Sequence, residues 1–255
     1  MRKYILALLL LPVLCVGQSQ DQNYTMKIVY RVATDSPIPT PTQEQAQVSV
    51  VYYDGLGRPI QQLAHKQSAS GKDIIQHIAY DKLGRMAKEY LPYSNGSADL
   101  SFDPSALVNT ESFYAGPEFQ NTSNPYSQYF YEASPFNKVL KRSAPGTAWV
   151  GDSIGNNDNT IKFDYKLNTN DDQVKLYSAV TGSADANGVY VTTVGNANGT
   201  VYYGSSQLFK TKVRDENWTS GDEHTVTEFT DKQGRTVLKR AYVKNQDPNS
   251  PGYQS

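Results

Sequence analysis

The chain contains few of the side chains that most often carry catalysis and metal binding. Its 255 residues include 1 cysteine, 3 histidines and 3 methionines. Thiol chemistry, a disulfide framework and a metal site with several histidine or cysteine ligands therefore lack the residues that they need. Lysine and arginine number 24, against 25 aspartate and glutamate residues. This balance argues against a nucleic-acid or anionic-membrane partner, because such partners require clustered positive charge.

Long apolar runs are also missing. The longest, residues 4–16, follows two basic residues and is shorter than the roughly 20 residues that a membrane-spanning helix needs. It has the form of a secretory signal peptide with cleavage after Gly17 or Ser19. Two alternatives remain, in which Cys15 is a lipidated cysteine or the segment is a buried first helix. We expect a signal peptide at residues 1–19, export through the inner membrane, a secreted or cell-surface protein and no transmembrane segment.

The residues that are abundant favour β-structure. The chain has 19 tyrosines, 8 phenylalanines and 18 glycines. Aromatic side chains suit the pleated, half-buried surface of a strand, and glycines suit the turns between strands. So many aromatic residues also exclude a disordered chain. We predict an all-β protein of antiparallel hairpins, with about ten to fourteen short strands and little helix.

One turn pattern occurs three times with strand-like sequence on both sides. The segments are VVYYDGLGRPIQQL (50–63), HIAYDKLGRMAKEYLPY (77–93) and TEFTDKQGRTVLKRAY (227–242). In each, an aspartate is followed after two residues by glycine and arginine. The turn residues are Asp54, Gly57, Arg58, Asp81, Gly84, Arg85, Asp231, Gly234 and Arg235. A single match would carry little weight, whereas three matches in the same context indicate an internal repeat.

Each residue of this pattern has a structural role in a tight hairpin turn. The aspartate accepts a hydrogen bond from the backbone two residues later. The glycine supplies the positive φ that a type I turn followed by a bulge requires. The arginine is expected to lie along the hairpin, with its stem on apolar surface and its head near a carboxylate. We therefore predict that these residues are structural.

Weaker signals extend the hairpin prediction. An altered copy of the turn is predicted at residues 131–139, where Glu132 replaces the aspartate and Asn137-Lys138 replaces Gly-Arg. Residues 94–124 are interpreted as a polar linker that is anchored on the core by Phe102, Leu107, Phe113 and Tyr114. Two more hairpins are predicted, pairing residues 160–167 with 174–180 and residues 189–194 with 200–203.

No arrangement of residues indicates catalysis. His65, His77 and His224 are the only imidazoles that could act as bases, and no Gly-x-Ser-x-Gly motif supplies a nucleophile. We interpret all three as surface or half-buried strand residues, and the aspartates of the repeat as turn formers. The sequence therefore predicts no catalytic residue, no cofactor and no metal site.

Calcium is the metal for which the sequence offers candidates. The oxygen-rich loops are residues 152–158 and 168–172. The second has the alternating ligand spacing of an EF-hand loop, but Gln173 stands where that loop needs glycine, and no glutamate occupies its twelfth position. We interpret both as ordinary polar loops.

Clustered aromatic residues leave a binding function open. They could form a platform that stacks sugar rings, or they could line a sheet through cross-strand pairs. The residues concerned are Tyr52, Tyr53, Tyr126, Tyr129, Phe130, Tyr131, Tyr202 and Tyr203.

Tyr53-Asp54-x-x-Gly57-Arg58 and Tyr80-Asp81-x-x-Gly84-Arg85 resemble the YD repeat of the Rhs family of large bacterial secreted proteins. In the third copy, a threonine stands before the aspartate where the other two have tyrosine. The order of motifs over residues 48–242 is also similar to the region that precedes the repeat array in one subset of that family. These motifs are YYDGLGRPIQ, YDxxGRxxKEYLPY, YExSPxNKVLxRxAPG, LFKTKVRDENW and FTDKQGRTVLKR.

The resemblance implies an architecture. Rhs-type chains wind YD-repeat hairpins into a hollow β-shell, often around a toxic C-terminal domain, as in polymorphic toxins, with an autoproteolytic core near the shell's end. Nothing in this sequence resembles that core or a toxin domain, so we interpret the chain as a truncated N-terminal piece. The expected organisation is a signal peptide (1–19), an extended proline-rich segment (20–47) and an Rhs-type β domain (48–255) that forms part of a curved β-shell or open spiral sheet.

The expected function is a non-enzymatic structural module that begins or caps the YD-repeat shell. Such a cap would shield one end of the strand array, where an exposed edge invites aggregation. Its partner would be the downstream YD-repeat shell of the same chain. The alternative is a surface module that binds a cell-surface glycan or protein. An enzyme of unrecognised type is the third possibility, which a buried group of His224 with carboxylates would favour.

Overall fold

The structure is a computed structural model that describes residues 21–196 and 199–243. Most of its regular secondary structure consists of antiparallel strands. The predicted signal peptide lies outside the described residues. The chain divides into two units. The first ends at Ser127 and includes Pro145–Thr147, and the second comprises Gln128–Ala144 and the chain from Ala148 onward.

The first unit is built around a four-stranded antiparallel sheet. Its elements are β1 (Asn23–Tyr30), β2 (Ala46–Tyr53), β3 (Pro59–Ala64), β4 (Ile74–His77), β5 (Lys88–Tyr90) and α1 (Ala106–Tyr114). The sheet has the order β1-β2-β3-β4, so each strand pairs with the next along the chain. Strand β1 lies within the segment that was predicted to be extended and proline-rich.

Alternation along β2 places the first core. Every second residue of this strand is buried, from Ala46 through Val48 and Val50 to Tyr52, as the two-residue period of a strand requires. The cluster also contains Leu63, Ile75, Tyr93 and Leu100. The hydroxyl of Tyr52 donates to the carbonyl oxygen of Leu100 at 2.7 Å, which satisfies the one polar atom of this buried ring.

Helix α1 occupies part of the segment that was predicted to be a polar linker. Its buried residues are Ala106 and Thr110, whereas the predicted anchor Leu107 is 37% exposed. The carboxylate of Asp103 holds the start of the helix, because it accepts hydrogen bonds from the Tyr93 hydroxyl (2.5 Å) and the Asn109 amide (2.8 Å). The predicted anchors Phe102 and Tyr114 do pack against the core. The helix was not predicted, because its fully buried residues are small and the sequence shows no apolar stripe with a helical period.

The second unit contains six strands that are consecutive neighbours, the first of which begins two residues before the unit does, and a separate two-stranded sheet. The six are β6 (Tyr126–Tyr131), β7 (Val139–Ser143), β8 (Ile161–Leu167), β11 (Phe209–Arg214), β12 (Thr225–Thr230) and β13 (Thr236–Tyr242). They follow one another in the order β13-β12-β11-β8-β7-β6. The separate pair is β9 (Ser178–Ala184) with β10 (Tyr190–Gly195). Phe229, Val174 and Leu208 form the buried core of this unit.

Both hairpins predicted in the middle of the chain were wrong. Strand β8 pairs with β7 and β11, and β9 pairs with β10. After β8 the chain makes a 3-10 turn at Asn170–Asp172 and leaves the sheet, since Lys175 pairs through an isolated bridge with Tyr202. Loop composition indicated where the chain turns, but it could not indicate which distant strand accepts the hydrogen bonds.

The predicted all-β class is confirmed. Thirteen strands and one nine-residue α-helix account for the regular structure of the described residues, apart from short 3-10 turns. Across those residues, no helix combines the length and the apolar character needed to cross a membrane.

Candidate functional site

The Asp-x-x-Gly-Arg turns share one set of backbone hydrogen bonds. In each, the aspartate N–H donates to the arginine carbonyl (2.9, 2.9 and 3.0 Å in chain order), and the glycine N–H donates back to the aspartate carbonyl (3.0, 2.9 and 3.0 Å). The turn glycines have φ values of 75°, 76° and 79°. In the first and third copies the strand register shifts by one residue just before the turn, at Tyr52/Tyr53 and Phe229/Thr230. This combination is a tight turn with a bulge.

The aspartate carboxylate organises the rest of the turn. One oxygen of Asp81 accepts the backbone N–H groups of Leu83 and Arg85, both at 2.9 Å. The other accepts the Arg85 Nε–H at 2.8 Å. Asp54 and Asp231 make the corresponding contacts with their own arginines, at 2.8 and 2.6 Å for the side-chain bond. The predicted turn residues are therefore brought together within each copy, with the arginine folded back onto its aspartate.

These hydrogen bonds change the acidity of the turn carboxyl groups. The backbone N–H of the following arginine is the largest cause that holds the pKa of Asp54, Asp81 and Asp231 below the usual range. Desolvation raises these pKa values and so opposes this effect, whereas the hydrogen bond from the arginine side chain lowers them further. These hydrogen bonds stabilise the ionised carboxylate, and the lowered pKa is the result. The ionised carboxylate is the form that accepts the hydrogen bonds of the turn.

The second copy differs from the prediction in its strands. Regular strand structure stops at His77 and resumes at Lys88, and the two arms of the turn pair through isolated bridges, Ile78 with Glu89 and Ile75 with Tyr93. The Ala87 N–H donates to the Arg85 carbonyl at 3.0 Å, so the chain curls instead of extending along a ladder. The strand-like sequence on both sides of this turn therefore does not form a continuous ladder next to the turn, because the Ala87 N–H is used locally.

The first two turns contact each other. The guanidinium carbon of Arg58 lies 4.5 Å from the centroid of the Tyr80 ring, within the range of a cation–π interaction. The Tyr80 hydroxyl donates to the Pro59 carbonyl at 2.9 Å. A Cβ atom added to Gly84 would lie 3.4 Å from Arg58 Nη1. The arginine of one repeat thus packs on the tyrosine and glycine of the next.

Related turns occur elsewhere in the chain. In the altered copy predicted at residues 131–139, the Glu132 N–H donates to the Lys138 carbonyl at 2.9 Å, and Asn137 has a φ of 57°. The turn between β9 and β10 was missed, although Asp185 and Gly188 make the same backbone bonds as the three repeats. Its Asp-x-x-Gly spacing was visible in the sequence, but a valine stands in place of the arginine.

The histidines lie at separate places. His77 packs edge-on against Tyr90 at 5.2 Å, and burial lowers its pKa. His65 Nδ1 lies 2.9 Å from the buried Asp73 carboxylate, which also accepts the backbone N–H of Lys66. His224 Nδ1 lies 3.1 Å from the Asp215 carboxylate, and both side chains are more than 40% exposed. The His224 pair is therefore exposed, unlike the buried group that an enzymatic interpretation calls for.

A lysine ammonium fills the oxygen-rich loop at residues 152–158. Lys141 Nζ donates to the backbone oxygens of Asp152 (2.9 Å) and Gly155, and it lies 3.1 Å from Asp158 Oδ2. Lys162 Nζ lies 2.9 Å from the other oxygen of the same carboxylate. Burial raises the pKa of Asp158, but hydrogen bonds led by the Thr160 hydroxyl outweigh burial and hold that pKa below the usual range.

The buried carboxylate of each candidate calcium loop thus has a lysine partner within the protein, Asp158 in the first loop and Asp172 in the second. In the second loop, Asp172 Oδ1 lies 2.5 Å from Lys210 Nζ. Across residues 21–196 and 199–243, no group of three or more histidine, cysteine, aspartate or glutamate side chains is arranged to hold a metal ion.

Three of the aromatic rings that could have formed a sugar-binding platform are used in packing instead. Tyr52 is completely buried and cannot stack on a ligand. Tyr126 packs edge-on against Tyr90 at 5.2 Å, with Lys88 Nζ 4.0 Å from its centroid. Tyr129 is covered by a guanidinium whose carbon lies 5.2 Å from its centroid. These rings are used in packing the sheets.

The hairpins and turns define an all-β protein assembled from short antiparallel strands, with one Asp-x-x-Gly-Arg turn used repeatedly. The model of a family described as a domain of unknown function, DUF6443, matches residues 26–167, which is more than half of the chain. The chain therefore belongs to the DUF6443 family. The match contains the first two of the three repeats and ends with the last residue of β8. Neither the curated proteins nor the solved structures contain a match to this chain.

Proposed function

We propose that this protein is a non-enzymatic structural module of the Rhs type, which begins or caps the YD-repeat β-shell of an exported protein. One observation carries the proposal: a single turn geometry recurs along the chain, and its first two copies pack on each other through Arg58 and Tyr80. Such packing is what a stacked repeat array needs, because each repeat then contributes contacts to its neighbour.

The contact is directional. The arginine that ends the first turn lies over the tyrosine that precedes the second turn, and the hydroxyl of that tyrosine bonds to Pro59, directly after the arginine. A further repeat with the same Tyr-Asp-x-x-Gly-Arg sequence could present its tyrosine in the same way. The unit can therefore be repeated without new chemistry at each step.

Strand β13 offers an edge on which such an array could continue. It is the last strand in its sheet order, and within the described residues it pairs only with β12. An edge strand exposes alternate backbone N–H and C=O groups that can pair with another strand. We propose that the partner is the downstream YD-repeat shell of the same polypeptide.

Hydrogen exchange on β13 tests this proposal. First, the coding sequence beyond Ser255 is determined, and then exchange is compared between the 255-residue chain and a chain extended by the next encoded repeats. We expect further YD repeats and a gain in protection of roughly 100-fold for the β13 amides that do not bond to β12. A coding sequence without YD repeats, or unchanged exchange in the extended chain, would contradict the proposal.

Export is tested separately. Mass spectrometry of the protein from culture medium or from the cell surface should show a chain that begins near Gln18 or Gln20. A secreted form that retains Met1 would contradict cleavage, and a lipid on Cys15 would establish the lipoprotein alternative.

A further inference from the structure

The second unit contains an open cleft that the proposed structural role does not use. Its volume is about 720 Å³, which lies within the range of roughly 300–1,000 Å³ found for small-ligand sites. Two loops supply most of its lining, residues 156–159 and residues 216–219. Ala148 and Val150 supply the apolar part of the wall.

Ion pairs and hydrogen bonds hold the first loop, residues 156–159, in place. The Asp158 carboxylate is only 4% exposed and binds two lysine ammonium groups and the Thr160 hydroxyl. The Asn159 amide donates to the Ala148 carbonyl at 2.9 Å. Together with the bond that Lys141 Nζ donates to the Gly155 carbonyl, they fix the backbone on both sides of Asn156 and Asn157, whose side chains are exposed. Within the described part of the chain, neither of these two amides has a hydrogen-bond partner.

The second loop is fixed by bonds of its own. Asp215 accepts the backbone N–H of Asn217 at 2.9 Å through its side chain and the N–H of Trp218 at 3.2 Å through its carbonyl. The Trp218 indole N–H donates to the Gly221 carbonyl at 3.1 Å. The Arg214 guanidinium carbon lies 4.7 Å from the ring centroid. Trp218 is therefore oriented before any ligand arrives, and its single donor is already used, so it offers the ligand apolar ring surface.

The lining combines side chains that suit a polar ligand without negative charge, since Asp158 and Glu216 are its charged residues and the Asp158 carboxylate is already paired with two lysines. Asparagine amides both donate and accept hydrogen bonds, which matches the hydroxyl groups of a sugar. Glu216 adds an acceptor, and Trp218 adds an aromatic surface for the C–H groups of a pyranose ring. No lysine, arginine or histidine is among the lining residues, so a phosphate or an acidic sugar would find no counter-charge.

We propose that this cleft binds a neutral oligosaccharide, with Trp218 packing against a sugar ring and Asn156 and Asn157 bonding to its hydroxyl groups. The proposal is independent of the structural role, because none of the repeat-turn residues lines the cleft. Failure of one proposal therefore leaves the other unaffected.

The test is affinity gel electrophoresis of the full chain through gels that contain neutral polysaccharides built from glucose, mannose, galactose or xylose. We expect at least one to retard the parent protein and Trp218→Ala to weaken that binding at least tenfold. Asn156→Ala/Asn157→Ala should weaken it to a smaller extent. Tyr190→Ala is the matched control, because this tyrosine is 65% exposed in the same unit but does not line the cleft. Dextran sulfate provides the anionic comparison and should not retard the protein.

Three results would overturn the proposal. They are no retardation by any neutral polysaccharide, retardation by dextran sulfate alone, and binding by Trp218→Ala within twofold of the parent. Far-UV circular dichroism establishes that each variant is folded. If Trp218→Ala does not fold, the asparagine double variant decides, because both of its side chains are exposed. Parent-like binding by that variant would then overturn the proposal.

Discussion

At the scale of single residues, the turn aspartate and the turn glycine have different physical roles. The aspartate side chain accepts two backbone N–H groups and the arginine Nε–H, so its role is chemical. The glycine has no side chain, and its role is to adopt a positive φ. The two roles can therefore be tested by different kinds of experiment.

Gly84→Val should destabilise the protein by about 1–3 kcal/mol, because a β-branched side chain is strained at a φ of +76°. The free energy of unfolding is measured by urea titration. Gly55→Ala is the matched control, since Gly55 has no positive φ and a Cβ there would meet nothing within 4 Å. Equal urea midpoints for Gly84→Val and the parent would mean that the backbone at Gly84 is not strained.

The turn aspartates should also make stability depend on pH. Their pKa values are lowered in the folded protein, chiefly by the backbone N–H of the following arginine. Their contribution is therefore complete above the unfolded-state value of about 4 and is lost as the pH falls through the lowered folded-state value.

We expect the triple variant Asp54→Asn, Asp81→Asn and Asp231→Asn to have a lower urea midpoint than the parent at pH 7. Its midpoint should fall less steeply than that of the parent below about pH 4, because the three titrating groups are gone. Urea titrations between pH 2 and pH 7 measure both effects. If the midpoints of the two proteins changed with pH in parallel, the three carboxylates would not contribute to the pH dependence of stability.

At the scale of elements, contact between successive turns is the feature that makes the hairpins a repeat. Arg58 covers Tyr80, and Tyr80 bonds to Pro59, so two hairpins share side-chain and backbone contacts. The energetic coupling between the arginine and the tyrosine is separable from the bond that Arg58 makes with its own aspartate.

A double-mutant cycle with Arg58→Met and Tyr80→Leu should give a coupling energy of about 0.5–1 kcal/mol, as expected for a partly exposed cation–π pair. Urea titration of the four proteins provides the measurement. Tyr80→Phe is the control: it should lose about 0.5–1.5 kcal/mol with the Pro59 hydrogen bond but keep the coupling to Arg58. Additive single-mutant effects would argue against packing between the repeats.

The loop at residues 152–158 is held by buried ion pairs between Asp158 and two lysines. Asp158→Asn should destabilise the second unit by about 3–5 kcal/mol, because it leaves two lysines without a buried counter-ion. Asp222→Asn is the matched control, since Asp222 is 65% exposed in its pair with Lys212 and should cost about 0–1 kcal/mol. Tryptophan fluorescence during urea unfolding measures both, and similar losses would show that burial does not matter here.

At the scale of the whole molecule, each unit has its own buried core. Tyr52 and Val50 lie in the first, and Phe229 lies in the second with Val174 and Leu208. The two tryptophans of the chain, Trp149 and Trp218, belong to the second unit, so tryptophan fluorescence reports on that unit directly.

Phe229→Ala should destabilise the second unit by about 3–5 kcal/mol, because it removes a fully buried aromatic ring and leaves a cavity. The tryptophan fluorescence transition in urea should move to a lower midpoint. Phe229→Leu, which keeps most of the apolar volume, should cost less. An unchanged midpoint for Phe229→Ala would contradict the assignment of Phe229 to the core.

The sequence by itself determined the all-β class and the location of the repeated turns, because both depend on neighbouring residues. A two-residue burial period and an Asp-x-x-Gly-Arg spacing are complete within a few positions. The turn at Asp185 also depends only on neighbouring residues. Its spacing was present in the sequence, and it was overlooked because Val189 replaces the arginine.

The tertiary structure alone decided which strands pair and which side chains meet. Strand β8 pairs with β11 more than 40 residues away, and Lys141 reaches a loop that begins 11 residues later. Helix α1 buries only Ala106 and Thr110, so its sequence carried no apolar stripe. The cleft at Trp218 combines two loops about 60 residues apart. Such contacts depend on the free energy of the whole assembled unit, to which local turn and strand preferences contribute only a part.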